Sequence, residues 1–313
     1  MKRHLKIFSG QSNQSLAKEI CSYLSIDLGK MTFKKFSNCN IKVRIAESVR
    51  EDDVFVIQSG YPDTNEALME LLIIIDALKY ASASRITAVL PYYPYVRSDK
   101  KDEPRISVTA RLVADLLETA GANRILTMDL HSPQIVGFPR ISVDQLLIRQ
   151  AMCKYIKEKG LENFVVAAPD VGSAKMTEGF ARKLDVPMVI MDKRRYSDNE
   201  KADILKIIGE VKDKNCFIID DEISTGGSMI EACKALRDAG ARNLYAGCTH
   251  AILCGDACER LQESPISEFV TTNTIEQRNC NKFPKMTVLS VAQLFGDAIT
   301  AIHTGASVSK LFL

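Results

Sequence analysis

Short apolar runs alternate along the chain with segments whose apolar residues recur every three or four positions. Runs that read as strands are LKIFSG (5–10), DVFVIQSG (53–60), RITAVLP (85–91), RILTMDL (124–130), NFVVAAPD (163–170), VPMVIMD (186–192), CFIIDD (216–221), NLYAGCTH (243–250) and FVTTN (269–273). Between them lie helix-period patterns such as SLAKEICSYL, ALMELLIIIDALKYA, TARLVADLLETAG and TEGFARKL. This alternation predicts an α/β fold built from βαβ units, with mainly parallel sheets flanked by helices. Gly121 and Gly240 stand where helices should end, because glycine accepts the left-handed turn that closes a helix. The stretch 140–162 reads as helical throughout, and a boundary near Asp144–Ile148 divides the chain into domains 1–147 and 148–313.

Composition narrows the class. With 313 residues, 46% hydrophobic and 26% charged, the chain is globular and long enough for two domains. A net charge of +2 argues against bulk nucleic-acid binding. The most apolar run, Leu71–Ile75, is bracketed by Glu70 and Asp76 and is far short of the roughly 20 residues a membrane span needs. The start MKRHLKIFSGQSNQ carries charge with no long apolar region behind it, which argues against a secretory leader. Nine cysteines occur without a C-x-x-C pair. Reduced, mostly buried thiols in a cytoplasmic protein are therefore expected.

The densest chemistry lies in CFIIDDEISTGGSMIEACKALRDAG, residues 216–240. An apolar strand runs into Asp220 and Asp221, then into Ser224-Thr225-Gly226-Gly227-Ser228, then into a helix whose Met229, Ala232, Cys233 and Leu236 share one face. Ligands of open α/β sheets bind at such strand-to-helix junctions. Glycines let successive backbone N–H groups turn inward, and the helix dipole favours an anion there. No Gly-Lys-Ser/Thr follows, so this is not a nucleotide P-loop. Carboxylates would repel a phosphate but suit neighbouring hydroxyls or a metal ion. A loop for an anion beside acids for a diol describes a sugar phosphate. The plain alternative is a capped turn with solvated acids.

Other segments sit at strand ends too. In YPYVRSDKKD, Arg97, Lys100 and Lys101 mix with Asp99 and Asp102, as a polyphosphate clamp or a solvated face would. His131 follows a strand in MDLHSPQ, and Asp170 follows another in APDVGSAK. Lys193, Arg194 and Arg195 form a basic segment in MDKRRYSDNE, either a surface loop or a group that closes over ligand.

The run IIDDEISTGGS resembles the phosphoribosyl-diphosphate motif of type I phosphoribosyltransferases. Taken in order, KIFSG, KKFSN, DVFVIQSG, LMELLI, ASASRITAVLPYYPY, LVADLLETAGA, ILTMDLHSPQI, PDVGSAK, DDEISTGGS, THAIL, TTNTI and SVSKLF resemble the ribose-phosphate diphosphokinase family nearly end to end. The resemblance implies two type I phosphoribosyltransferase-like domains. It implies transfer of the diphosphoryl group of ATP to the C1 hydroxyl of ribose 5-phosphate, giving phosphoribosyl diphosphate and AMP. By motif position, Asp220 and Asp221 would hold the ribose hydroxyls, and Ser224, Thr225, Gly226, Gly227 and Ser228 would cradle the 5-phosphate. His131 and Asp170 would carry Mg²⁺, directly or through water. Arg97, Asp99 and Lys101 would belong to the ATP site, with Phe36 and Asn38 reaching in from a neighbouring subunit. Lys193 and Arg195 would stabilise the transition state from a lid. The assembly would be a homo-oligomer based on dimers, commonly a hexamer, in the cytoplasm.

The chain departs from the family pattern in places. Asn40 stands where the family has Glu, and Ser98 where it has Gln. Both changes fall at the nucleotide site. The phosphate loop begins with Ser224 in place of a frequent Asp. DEPRISVTA (102–110) is about two residues shorter than the regulatory loop of phosphate-activated members, and Pro133 replaces a Ser of the allosteric site. These changes predict weak phosphate activation and weak ADP inhibition. Two rival readings are a catalytically inactive regulatory subunit of such a synthetase and a phosphoribosyltransferase that consumes its product. The retained His131, Asp170, Lys193, Arg195, Asp220 and Asp221 weigh against the first. The co-occurrence of YVRSDKKD, MDLH and the basic lid weighs against the second.

Overall fold

The computed structural model describes residues 3–194, 204–277, 280 and 283–312. In chain order the elements are β1 (Leu5–Ser9), α1 (Gln14–Leu24), β2 (Met31–Lys35), β3 (Ile41–Ile45), β4 (Asp53–Ile57), α2 (Thr64–Tyr80), β5 (Arg85–Leu90), α3 (Thr109–Ala120), β6 (Arg124–Met128) and β7 (Ser142–Leu146). They continue with α4 (Arg149–Glu158), β8 (Phe164–Ala168), α5 (Ala174–Leu184), β9 (Met188–Arg194), β10 (Ile204–Ile208), β11 (Asn215–Ile223), α6 (Gly227–Asp238), β12 (Leu244–Ala251), α7 (Ala257–Glu263), β13 (Ile266–Thr272), β14 (Met286–Leu289) and α8 (Ala292–Thr304).

Two compact units result. The first gathers residues 1–147 with 274–276 and 290–313, and the second gathers 148–273 with 277–289. The first holds a wholly parallel sheet in the order β1-β4-β5-β6-β7, plus the antiparallel hairpin β2–β3. The second holds a sheet in the order β10-β9-β8-β11-β12-β13-β14, parallel except for β9–β10. Central strands such as β8, and β4 beyond its opening Asp53, read as apolar runs because helices cover both faces of a parallel sheet. The fold is the expected α/β arrangement of parallel sheets flanked by helices.

Local chemistry sets the helix ends. The Asn13 side chain accepts from the Leu16 N–H at the start of α1. Gly121 follows α3 at φ 122°, and Gly240 follows α6 at φ 88°, left-handed positions where a side chain would be strained.

Three differences from the sequence reading have physical causes. The stretch 140–162 is not one helix: its first part forms β7, and only Arg149–Glu158 is helical. β7 lines up beside β6 from Arg124↔Ser142 to Met128↔Leu146, and Arg124 forms an ion pair with Asp144. An open parallel edge therefore recruits a segment with β-branched Ile141 and Val143. Secondly, α8 belongs by contact to the first unit, where a single cut after residue 147 would leave it in the second. The buried Asp53 carboxylate receives Arg85 Nε at 2.7 Å and meets His303 Nδ1 of α8 at 2.8 Å. Thirdly, Cys258 and Cys280 are joined in a disulfide, Cα atoms 5.9 Å apart, so the reduced state expected of every cysteine holds for the other seven only. No helix among the described residues is long and apolar enough to cross a membrane.

Candidate functional site

β11 places the acids. Its apolar part, Cys216–Ile219, is buried between β8 and β12, and the strand carries Asp220 and Asp221 out to its carboxyl end, where both are partly buried. The Asp220 carboxylate accepts from the Asp221 N–H at 3.0 Å. Burial, then the neighbouring Asp221, then the charge of Asp170 push the Asp220 carboxyl up to about 8. Asp170 lies just past the end of β8, exposed, and accepts from the Ser173 N–H at 2.9 Å. The structure thus brings the acids of two separate sequence motifs into electrostatic contact.

The loop after β11 leads directly into α6. Gly226 caps that helix at φ 73°, a left-handed conformation that glycine adopts without strain. Having no side chain, it leaves the first-turn N–H groups uncapped, and no acid sits in that first turn. A ligand anion meets no competing carboxylate in the first turn of α6. Gly227 gives access: a methyl there would have Thr225 Oγ1 at 3.8 Å and Arg260 Nη2 at 4.0 Å as its nearest neighbours. Ser224 Oγ donates to Cys254 Sγ at 3.6 Å, and Arg260 of α7 reaches the Thr225 carbonyl at 3.3 Å.

Cys254 and Arg260 were not singled out from the sequence. The signal was indirect: they follow β12, the parallel neighbour of β11, so the loops after the two strands leave the sheet side by side.

The predicted nucleotide residues lie in the first unit. Arg97 and Lys101 are exposed on the segment after β5, and Asp99 between them is buried. Gln134 Nε2 donates to Asp99 Oδ2 at 3.2 Å, which links this segment to the turn that carries the exposed His131. Ser98 is committed elsewhere. Its hydroxyl accepts from the Thr109 N–H at 3.1 Å and donates to the Ser107 carbonyl at 3.2 Å, so it caps α3. Phe36 and Asn38 are exposed at the tip of the β2–β3 hairpin. Lys34 Nζ lies 5.0 Å from the centre of the Phe36 ring. Asn38 Oδ1 accepts from the Asn40 N–H at 3.2 Å, shaping the turn.

The backbone of Lys193 lies on β9 opposite Leu205 of β10. The Lys193 side chain and all of Arg195 lie outside the described residues. A shallow surface hollow lined by Glu178, Arg182, Asp185 and Met188 contains none of the residues above.

The donor set also bears on a metal. Among the described residues, no three His, Cys, Asp or Glu side chains are disposed to enclose an ion. Crowded carboxylates at Asp170, Asp220 and Asp221 suit a hard divalent cation that keeps most of its waters and takes one or two carboxylates plus ligand phosphates. They do not suit an ion held wholly by protein.

Comparison with known proteins gives a consistent result. A family model described as the N-terminal domain of ribose phosphate pyrophosphokinase matches residues 5–121, and one described as the phosphoribosyl synthetase-associated domain matches residues 195–313. A ribose-phosphate pyrophosphokinase of Caldanaerobacter subterraneus is 50% identical over 309 residues, 98% of each chain. That of Clostridium perfringens is 49% identical over 316 residues, covering 99% of this chain and 98% of the relative. The crystal structure of phosphoribosylpyrophosphate synthetase from Mycobacterium smegmatis superimposes with a TM-score of 0.92 at 40% identity, covering 97% of this chain and 100% of the other.

Proposed function

The chain belongs to the ribose-phosphate pyrophosphokinase family, and from that premise we propose how its own residues carry out the family's reaction. It is a diphosphotransferase that moves the β,γ-diphosphoryl group of ATP to the C1 hydroxyl of ribose 5-phosphate. AMP and phosphoribosyl diphosphate are the products.

In this reading the second unit takes the acceptor. The amides of Ser224–Ser228 grip the 5-phosphate, and Asp220 and Asp221 accept hydrogen bonds from the ribose hydroxyls. The first unit takes the donor, with Arg97 and Lys101 on the triphosphate and Asp99 ordering the segment between them. Phe36 offers a face for the base, and Asn38 extends the same hairpin toward a second copy of the chain in a dimer-based homo-oligomer. Lys193 and Arg195 neutralise charge that develops on the transferring phosphorus in the transition state. His131 and Asp170 are each candidates to hold Mg²⁺, directly or through water, and when bound the ion would offset negative charge on the phosphate oxygens. A cytoplasmic location is part of this proposal, and ATP and ribose 5-phosphate as substrates are compatible with it.

The observation that carries this reading is the junction at β11 and α6, where partly buried acids stand beside an uncapped, acid-free helix start. The test is AMP release from ATP on adding ribose 5-phosphate and Mg²⁺ to the pure protein. Turnover supports the assignment; its absence favours an inactive regulatory subunit. Asp220→Ala should raise the KM for ribose 5-phosphate and leave that for ATP unchanged.

A further inference from the structure

The 5-phosphate cradle is held from behind by groups outside it. Cys254 N–H donates to the Ser224 carbonyl at 2.9 Å, Arg260 Nη1 donates to the Thr225 carbonyl at 3.3 Å, and Ile230 N–H donates to the Gly226 carbonyl at 2.9 Å. In a planar trans peptide the C=O and the following N–H point in opposite directions. Anchoring three successive carbonyls therefore turns the N–H groups of Thr225, Gly226 and Gly227 the other way, as consecutive donors for one anion. Two of the anchors are main-chain groups. Only the middle one is a side chain, so it is the one a substitution can remove.

We propose that Arg260 is a positioning residue for ribose 5-phosphate: by holding the Thr225 carbonyl it aims the Gly226 N–H into the phosphate cradle. This rests on the reading of residues 224–228 as that cradle. The guanidinium adds positive charge near the phosphate, since Nη2 lies 4.0 Å from the position a Gly227 methyl would take. Asp256, its nearest acid, is 3.9 Å away and exposed, too weak a partner to cancel that charge. Arg260 keeps 42% of its side-chain surface exposed, so it is not part of the core and its loss should not unfold the protein.

The experiment is steady-state kinetics of Arg260→Met and Arg260→Lys in the full chain, with Gly227→Ala as a probe of the cradle. Arg260→Met should raise the KM for ribose 5-phosphate roughly tenfold, as for a lost charged hydrogen bond, while kcat and the KM for ATP stay within about twofold. Arg260→Lys, which keeps a charged donor, should recover most of the loss. Gly227→Ala fits the fold but puts a methyl where the anion sits, so it too should raise that KM. An unchanged KM in Arg260→Met beside a raised KM in Gly227→Ala overturns the role of Arg260 and leaves the cradle standing. If Gly227→Ala also binds normally, the cradle reading itself falls. A loss spread equally over kcat and both KM values marks a general structural part and also overturns the proposal. If the Met variant does not fold, Arg260→Gln, of similar polarity but uncharged, takes its place under the same criteria.

Discussion

Asp220 is a carboxyl whose surroundings disfavour its charge. Burial and the neighbouring Asp221 and Asp170 raise it to about 8 in the folded chain, against 3.8 for the ordinary group. The folded state therefore holds a proton that the unfolded chain has released at neutral pH. The resulting stability is fully present below the ordinary pKa and is lost as pH rises through about 8. The melting temperature of the ligand-free protein should fall between about pH 4 and 8, and Asp220→Asn should flatten that slope; a parallel slope in the variant would remove Asp220 as its cause. At Lys193 the expectation concerns rate. Lys193→Ala should cut kcat by about 10²-fold with little change in either KM, as for a group acting mainly in the transition state. An undiminished kcat would take Lys193 out of the mechanism.

At the scale of elements, two contacts tie segments that sequence spacing does not connect. Ser98, at a position where the sequence predicts a change at the nucleotide site, caps α3 through the Thr109 N–H. Ser98→Ala should cost about 1 kcal/mol in urea unfolding, with a small effect on the KM for ATP. A large KM effect without a stability cost would return Ser98 to the nucleotide. The second contact joins β4, β5 and α8. Asp53 has 1% of its side chain exposed and is met by both Arg85 and His303. Arg85→Met would leave a buried carboxylate short of its main partner and should destabilise the protein by about 3 kcal/mol. Equal stability of this variant and the parent would show that His303 alone suffices.

For the whole molecule, the family resemblance of the 102–110 segment and Pro133 sets an expectation about control. Initial rates should change little with added inorganic phosphate or ADP, and a strong phosphate requirement would refute this. An expectation about donor choice belongs at the same scale. The neutral Asn40 lies at the turn of the β2–β3 hairpin beside Asn38, and a panel of ATP, GTP, CTP and dATP would read its consequence.

Much of this protein is legible in one dimension. Buried parallel strands must be apolar throughout, and a strand-to-helix turn that takes an anion needs small residues in succession. Central strands and the Asp220–Ser228 junction are local patterns of that kind, and both are visible without coordinates. What lay beyond reach depends on neighbours distant in sequence. β7 is a strand because β6 offers it an edge, α8 joins the first unit through its buried apolar face and the contact of His303 with Asp53, and the raised Asp220 carboxyl reflects burial first, then Asp221, and then Asp170 fifty residues away in sequence. Arg260 meets Thr225 only because β11 and β12 are adjacent. Periodicity and turn chemistry act over a few residues and are written in the chain; edge pairing, desolvation and charge coupling act through space and exist only once it has folded.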